Sequence, residues 1–151
     1  MSITLDYVAE LKVSVADPVV LAETAEGVRR SVAILSGTVE GPEFRATVQP
    51  GGIDHQIIRP DGLNVLEARY ALKTEDGADI YVVNRALRHG PPEVMKRMMS
   101  GEIVDPSEYY FRTAPVFETR APQYDWMNRT MFTGEAGRTK EAVWVKFYAV
   151  R

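Results

Sequence analysis

The chain has 151 residues, a size that predicts one domain with enough core to fold without disulfide or metal staples. Lys and Arg number 18 and Asp and Glu 21, and the formal net charge of -3 argues against a nucleic-acid binder, which usually carries a basic excess. There is no cysteine, which excludes disulfide scaffolds, thiolate metal sites and cysteine nucleophiles.

The N-terminal segment has no basic stretch followed by an apolar run, so no signal peptide is predicted. The longest apolar stretches, such as the one from Pro18 to Ala22, are too short to span a bilayer. We therefore expect a cytoplasmic protein with no membrane partner.

Alternation of apolar and polar residues with a period of two dominates the chain. Turn signals such as Pro50-Gly51-Gly52 and Glu75-Asp76-Gly77 separate the alternating segments. Strands are predicted over residues 3–15, 31–40, 44–49, 54–59, 64–73, 78–87, 109–118, 124–134 and 142–150.

One segment, residues 91–101, has helical spacing instead. Pro91 and Pro92 open it and Gly101 closes it, while Val94, Met95, Met98 and Met99 fall on one face: the pattern predicts one short helix. Its methionine face either packs against the sheet or forms a pliable lid over a ligand.

About eight to ten short strands at regular spacing predict an antiparallel sandwich or barrel. A closed barrel is favoured because closure removes the unpaired edges of a large twisted sheet. The expected fold is therefore all-β: a single antiparallel barrel over residues 1–151 with one short helix.

Side chains two residues apart share a face of a strand. Three polar or aromatic pairs have this spacing: Tyr110 with Arg112, Trp126 with Asn128, and Glu67 with Arg69. Either these pairs lie outside in water, or they line a polar pocket within the barrel.

Standard catalytic motifs are missing: the chain has no nucleophile elbow, no phosphate-binding loop and no dinucleotide fingerprint. Its two histidines, His55 and His89, have no chelating spacing, so we expect no zinc site, while carboxylates leave a site for a hard cation open. No cofactor-binding motif is found, so we expect no cofactor. Asp54, after the turn at Gly51-Gly52, either accepts backbone hydrogen bonds or enters the barrel mouth as a general base.

Several segments together resemble one bacterial and fungal family, domain of unknown function 3237. They are PGGID (50–54), EARY (67–70), YFRTAPVFET (110–119) and YDWMN (124–128). His55 departs from the aromatic residue expected after the aspartate. The resemblance implies a small β-barrel similar to allene oxide cyclase and dirigent barrels, whose lumen holds apolar small molecules and guides cyclisation or coupling.

The candidate groups fit proton abstraction next to a carbonyl, with the enolate held by arginine and tyrosine. The predicted catalytic residues are Asp54, Arg69, Tyr110 and Arg112, and the predicted substrate-binding residues are Glu67, Tyr70, Trp126 and Asn128. We therefore expect a cofactor-independent isomerase, lyase or cyclase acting on an apolar or aromatic carbonyl compound.

Two alternatives stay open: a non-catalytic small-ligand binding protein that uses the same lumen, and an interaction module with a solid barrel. A homo-oligomer is also expected, because a strand such as Val143-Trp144-Val145 can supply an apolar outer surface.

Overall fold

The computed structural model describes residues 1–151 and contains ten antiparallel strands. The strands are β1 (Leu5–Val15), β2 (Val19–Thr24), β3 (Gly27–Glu40), β4 (Ala46–Val48), β5 (Gly52–Ile58), β6 (Asn64–Thr74), β7 (Asp79–His89), β8 (Tyr110–Glu118), β9 (Met131–Arg138) and β10 (Val143–Val150).

Eight of these strands close a barrel in the order β1-β10-β9-β8-β7-β6-β5-β3, and β3 returns to β1. The two extra strands lie beside this ring. Strand β4 pairs with β3 and β6, and β2 pairs with the first residues of β3, on the edge that β1 occupies farther along. The sequence-based prediction of an antiparallel β-barrel is confirmed.

Two short helices accompany the barrel. The predicted helix is present as α1 (Pro92–Met99), and Gly101 after it has a φ of 90°, which glycine adopts without strain. A second helix, α2 (Asp125–Asn128), occupies the start of the segment predicted as a strand over 124–134, so that strand begins only at Met131. Neither helix is long or apolar enough to cross a membrane.

Strand alternation decides which side chains enter the barrel. On β7, Ile80, Val82, Asn84 and Ala86 are buried, whereas Arg85 is exposed. The same alternation turns Val143 and Val145 of β10 inward, so they do not contribute to the apolar outer surface expected there.

Large apolar side chains fill one end of the barrel. The Phe117 ring lies 4.8 Å from that of Phe132 and 5.3 Å from that of Phe147, centroid to centroid. Helix α2 covers this end, with Met127 1% exposed and the Trp126 ring 5.9 Å from that of Phe132. This half of the barrel is therefore solid.

The opposite end is covered by α1 and the chain that follows it. Val94, Val104 and Tyr109 form a small apolar cluster there, and Met98 and Phe111 pack against it. The connection from β1 to β2, residues 16–18, borders the same end. Between these covers and the solid half, the barrel is hollow.

Candidate functional site

The hollow half of the barrel holds a cavity of about 300 Å³. Most of its wall is aliphatic or aromatic, with Leu11, Val13, Val32, Ile34, Leu66 and Phe111 among the lining residues. A smaller set of polar side chains converges on the same space: Arg30, Asp54, Gln56, Asn64, Tyr70, Asn84, Arg88 and Thr113. An apolar pocket with a few convergent polar groups is the usual form of a small-molecule site.

Asp54 lies on β5 and points into this cavity. Its Oδ2 accepts a hydrogen bond from Gln56 Nε2 at 2.8 Å, because the two residues are two apart on the same strand face. Its Oδ1 is buried and has no hydrogen-bond partner within the protein. Of the two alternatives for this aspartate, the geometry matches the barrel interior, since no backbone N–H bonds its carboxyl group.

Burial raises the pKa of the Asp54 carboxyl above its usual range. The hydrogen bond from Gln56 and the positive charges of Arg88 and Arg30 act against this rise, but desolvation outweighs them. The carboxyl group therefore binds a proton more readily than an exposed aspartate does.

Register places two arginines beside buried amides. Arg30 lies opposite Gln56 in the β3–β5 pairing, and its Nη2 and Nε donate to Gln56 Oε1 at 2.5 and 3.1 Å. Arg88 lies opposite Asn64 in the β6–β7 pairing. With the Asn64 amide oriented so that its oxygen faces the guanidinium, Arg88 Nη2 and Nε donate to it at 3.0 and 3.1 Å.

Burial also affects the arginines. The pKa of Arg88 is lowered to about 10, first by desolvation and then by the like charge of Arg30. Arg88 remains protonated at neutral pH, and its guanidinium carbon lies 5.3 Å from the centre of the Phe111 ring.

Three more buried groups in the cavity wall have no hydrogen-bond partner within the protein: Tyr70 Oη, Asn84 Oδ1 and Thr113 Oγ1. The three residues are only 4–6% exposed. Burial and the charge of Asp54 raise the pKa of Tyr70, so its phenol stays protonated and can donate a hydrogen bond. Unpaired polar groups are costly in an interior, so these three groups lower the stability of the folded chain.

Four predicted site residues lie on the outer surface of the barrel and not beside Asp54. Glu67 and Arg69 do share a face of β6, where they form a salt bridge of 3.2 Å, but Tyr70 and Leu66 occupy the inward positions. The interior placement expected for them is thus not observed.

The same parity applies on β8. Tyr110 and Arg112 are exposed there, because Phe111, Thr113 and Phe117 take the inward positions. The Tyr110 ring stacks on His89 with centroids 4.8 Å apart, outside the barrel.

Trp126 and Asn128 lie at the solid end, far from the cavity lining. Asn128 Oδ1 accepts from the Thr119 backbone N–H at 2.9 Å and its Nδ2 donates to the Thr119 carbonyl at 2.8 Å. These bonds hold α2 against the end of β8. Of the eight predicted residues, the structure therefore brings only Asp54 and Tyr70 into the cavity.

Nowhere in the chain do three or more His, Asp or Glu side chains converge on one point. The expectation that the site works without metal or cofactor stays a prediction.

The sequence pattern of the DUF3237 family, described as a protein of unknown function, matches residues 3–150. The chain belongs to this family. This DUF3237 protein is 44% identical over 146 residues to a UPF0311 protein of Clostridium acetobutylicum, covering 96% of this chain and 92% of the relative.

Solved structures agree with this assignment. A conserved protein of unknown function from Rhodopseudomonas palustris is 40% identical, with a TM-score of 0.96 over 100% of this chain and 99% of the other. A β-barrel-like protein from Acinetobacter baumannii is 36% identical, with a TM-score of 0.87 over 100% and 98%. An enzyme from Penicillium herquei is 18% identical with a TM-score of 0.76 over 100% and 96%, a likeness of fold alone.

Sequence reasoning missed most of the polar lining of this DUF3237 protein. On β7, Ile80 and Val82 fix the inward parity, and extending it along the strand reaches Asn84 and Arg88. On β3, Val32 does the same for Arg30. The signal was therefore present in the alternation, but it has to be counted from buried aliphatic residues and not from polar pairs.

Proposed function

We propose that this protein is a cofactor-independent enzyme that transfers a proton on a small apolar or aromatic carbonyl compound inside the barrel, as an isomerase, lyase or cyclase. The observation that carries the proposal is Asp54, which lines the cavity: one carboxyl oxygen accepts a hydrogen bond from Gln56, and the other is buried without a hydrogen-bond partner. A general base needs such a free oxygen within reach of the substrate.

The surrounding groups suit the charge that forms when the base removes a proton next to a carbonyl. The electron pair moves onto the carbonyl oxygen, and donors aimed at that oxygen lower the barrier. Tyr70 supplies a phenol that stays protonated, and Arg88 supplies a fixed cation with a planar donor face. The proposal therefore keeps Asp54 and Tyr70 and gives the arginine role to Arg88 and Arg30, in place of Arg69 and Arg112.

The barrel architecture supports this proposal only at the level of fold. An enzyme from Penicillium herquei has a similar barrel, and the relatives above 30% identity carry no assigned activity. The chemistry is argued from the cavity of this chain.

Hydrogen–deuterium exchange tests the proposal without knowledge of the natural substrate. The protein is incubated in D₂O with aryl ketones, phenylpyruvate and hydroxy ketones, and deuterium next to the carbonyl is measured by NMR. We expect exchange with at least one compound, and Asp54→Asn should slow it by about 10²–10⁴-fold because the base is removed.

Asp79→Asn is the matched control, because this carboxylate lies on the outside of β7 with its side chain 81% exposed. It should leave the exchange rate unchanged. If a compound binds but never exchanges, the protein is a non-catalytic ligand binder, which is the second function that an apolar lumen of this kind supports.

The predicted homo-oligomer stays a prediction. Size-exclusion chromatography with light scattering measures it directly.

A further inference from the structure

Two positive charges in the cavity have no carboxylate partner. Arg30 is half-buried and Arg88 more deeply buried, yet each uses its Nε and Nη2 on a neutral amide oxygen, and neither forms a salt bridge shorter than 4.0 Å. The remaining nitrogen of each guanidinium, Nη1, has no acceptor within the protein. Buried charges are normally paired, so this arrangement is incomplete within the chain itself.

The charge balance of the cavity points the same way. Asp54 is the one carboxylate that lines the cavity from a strand. Asp17 and Glu102 also border the cavity, but they lie outside the strands and are exposed. Glu102 is also occupied, since it accepts from Arg97 Nε at 2.7 Å. Two interior guanidinium groups against one interior carboxyl leave an excess of positive charge facing the ligand.

We infer that the substrate of the proposed enzyme is an organic monoanion, a flat apolar body carrying one acidic oxygen group such as a carboxylate or an ionised phenol, which binds to the guanidinium groups of Arg88 and Arg30. Calling this ligand a substrate rests on the proposed function, but the anion site itself does not depend on catalysis. It accounts for the free guanidinium nitrogens and for the missing counter-charge.

The cavity walls define the rest of the ligand. Phe111 stacks against Arg88, and the opposite side of the cavity is built from Val13, Val32 and Ile34. Aliphatic walls cannot hydrate a doubly charged group, so an inorganic phosphate is a poor fit, whereas an aromatic acid places its ring on the apolar side.

Binding of matched probes tests the inference. Isothermal titration calorimetry at neutral pH compares 2-naphthoate, benzoate, methyl 2-naphthoate and inorganic phosphate. We expect an acid to bind at least about tenfold more tightly than the ester, which has nearly the same shape without the charge, and phosphate not to bind.

Substitutions test whether Arg88 and Arg30 cause the preference for the acid. Arg88→Met and Arg30→Met should each remove most of the preference for the acid over the ester, because the guanidinium group that binds the carboxylate is lost. Arg85→Met on β7 and Arg29→Met on β3 are the controls, because these neighbours point outward and are exposed. Circular dichroism verifies that each variant is folded, and Arg30→Met carries the test if Arg88→Met does not fold.

Several results overturn the inference: no binding of either acid, equal binding of acid and ester, a preference that survives both substitutions, or phosphate binding as tightly as the acids. Neither acid has a hydrogen on a carbon next to its carboxylate, so the measurement is independent of proton transfer. Acid binding without any deuterium exchange refutes the enzyme but keeps the anion site, and exchange without an anion preference refutes the site but keeps the enzyme.

Discussion

At the scale of single residues, Asp54 is held in the hollow part of the barrel at a thermodynamic cost. The carboxyl group has a single hydrogen bond, from Gln56, and its second oxygen is buried without a partner. Functional groups kept in such an environment trade stability for reactivity.

The pH dependence of stability tests this cost. Because the pKa of Asp54 is raised in the folded protein, the folded state binds this proton more tightly than the unfolded chain does. Its contribution to the free energy of unfolding is fully present below the ordinary value of 3.8 and is lost as the pH rises through the raised folded pKa.

Asp54→Asn cannot ionise, so we expect its Tm to exceed that of the wild type by a few degrees at pH 7 and the difference to shrink towards pH 3. Thermal unfolding across this range measures it. A constant difference, or a lower Tm for the variant at pH 7, would contradict the assigned environment.

How far the site could be predicted also depends on single residues. Asp54 is predictable because a carboxylate directly after a sharp turn stands out in the sequence. Tyr70 lies on the same face of β6 as the buried Leu66 and Leu72. The prediction places Arg69 and Arg112 inside the barrel, whereas they lie outside. The local sequence, an arginine near an aromatic residue, does not reveal which face of the strand points inward. Only the burial of the intervening residues decides the face, and that depends on the closed barrel.

At the scale of elements, β3 is the strand on which the barrel closes. Its first half pairs with β2 and β5 and its second half with β1, and the pairing with β1 shifts register between Ser14 and Val15. Strands β1 and β3 approach closely at Gly37, where an added Cβ would lie 2.9 Å from Val13 Cα and closer still to the Lys12 carbonyl oxygen.

Gly37→Ala should therefore force β1 and β3 apart and lower the free energy of unfolding by ~1–3 kcal/mol. Urea unfolding measures the change. Thr38→Ala, at the next and exposed position of β3, is the control and should change stability by less than about 0.5 kcal/mol. An unchanged free energy of unfolding for Gly37→Ala would contradict the close contact between β1 and β3.

The elements that sequence reasoning missed have physical reasons for being missed. Strand β2 is exposed along its whole length, so it carries no alternation to detect. Helix α2 spans four residues, Asp125–Asn128, which is too short to show a helical period. The bounds of the long strands β6 and β7 agree with the prediction to within two residues, because each strand has a buried and an exposed face.

At the scale of the whole molecule, the barrel divides into a solid half and a hollow half, and the inward face of β8 extends through both. Phe117 and Phe111 lie on the inward face of β8, the first among the rings of the solid end and the second in the cavity wall. They offer the same substitution in two environments.

Phe117→Ala should lower the free energy of unfolding by ~3–5 kcal/mol, because it opens a void in a packed region. Phe111→Ala should cost roughly 1–2 kcal/mol, because part of its ring already borders open space. Denaturant unfolding of both variants measures the difference, and equal losses would contradict the division into two halves.

The plug of aromatic rings at one end has a kinetic consequence. Because the aromatic rings close one end, a ligand reaches and leaves the cavity at the other end, beside α1 and the connection from β1 to β2. Met99 and Pro18 border the cavity at this end and are exposed, so a long substituent on a ligand extends outward past them and is the place to attach a reporter dye or a resin linker.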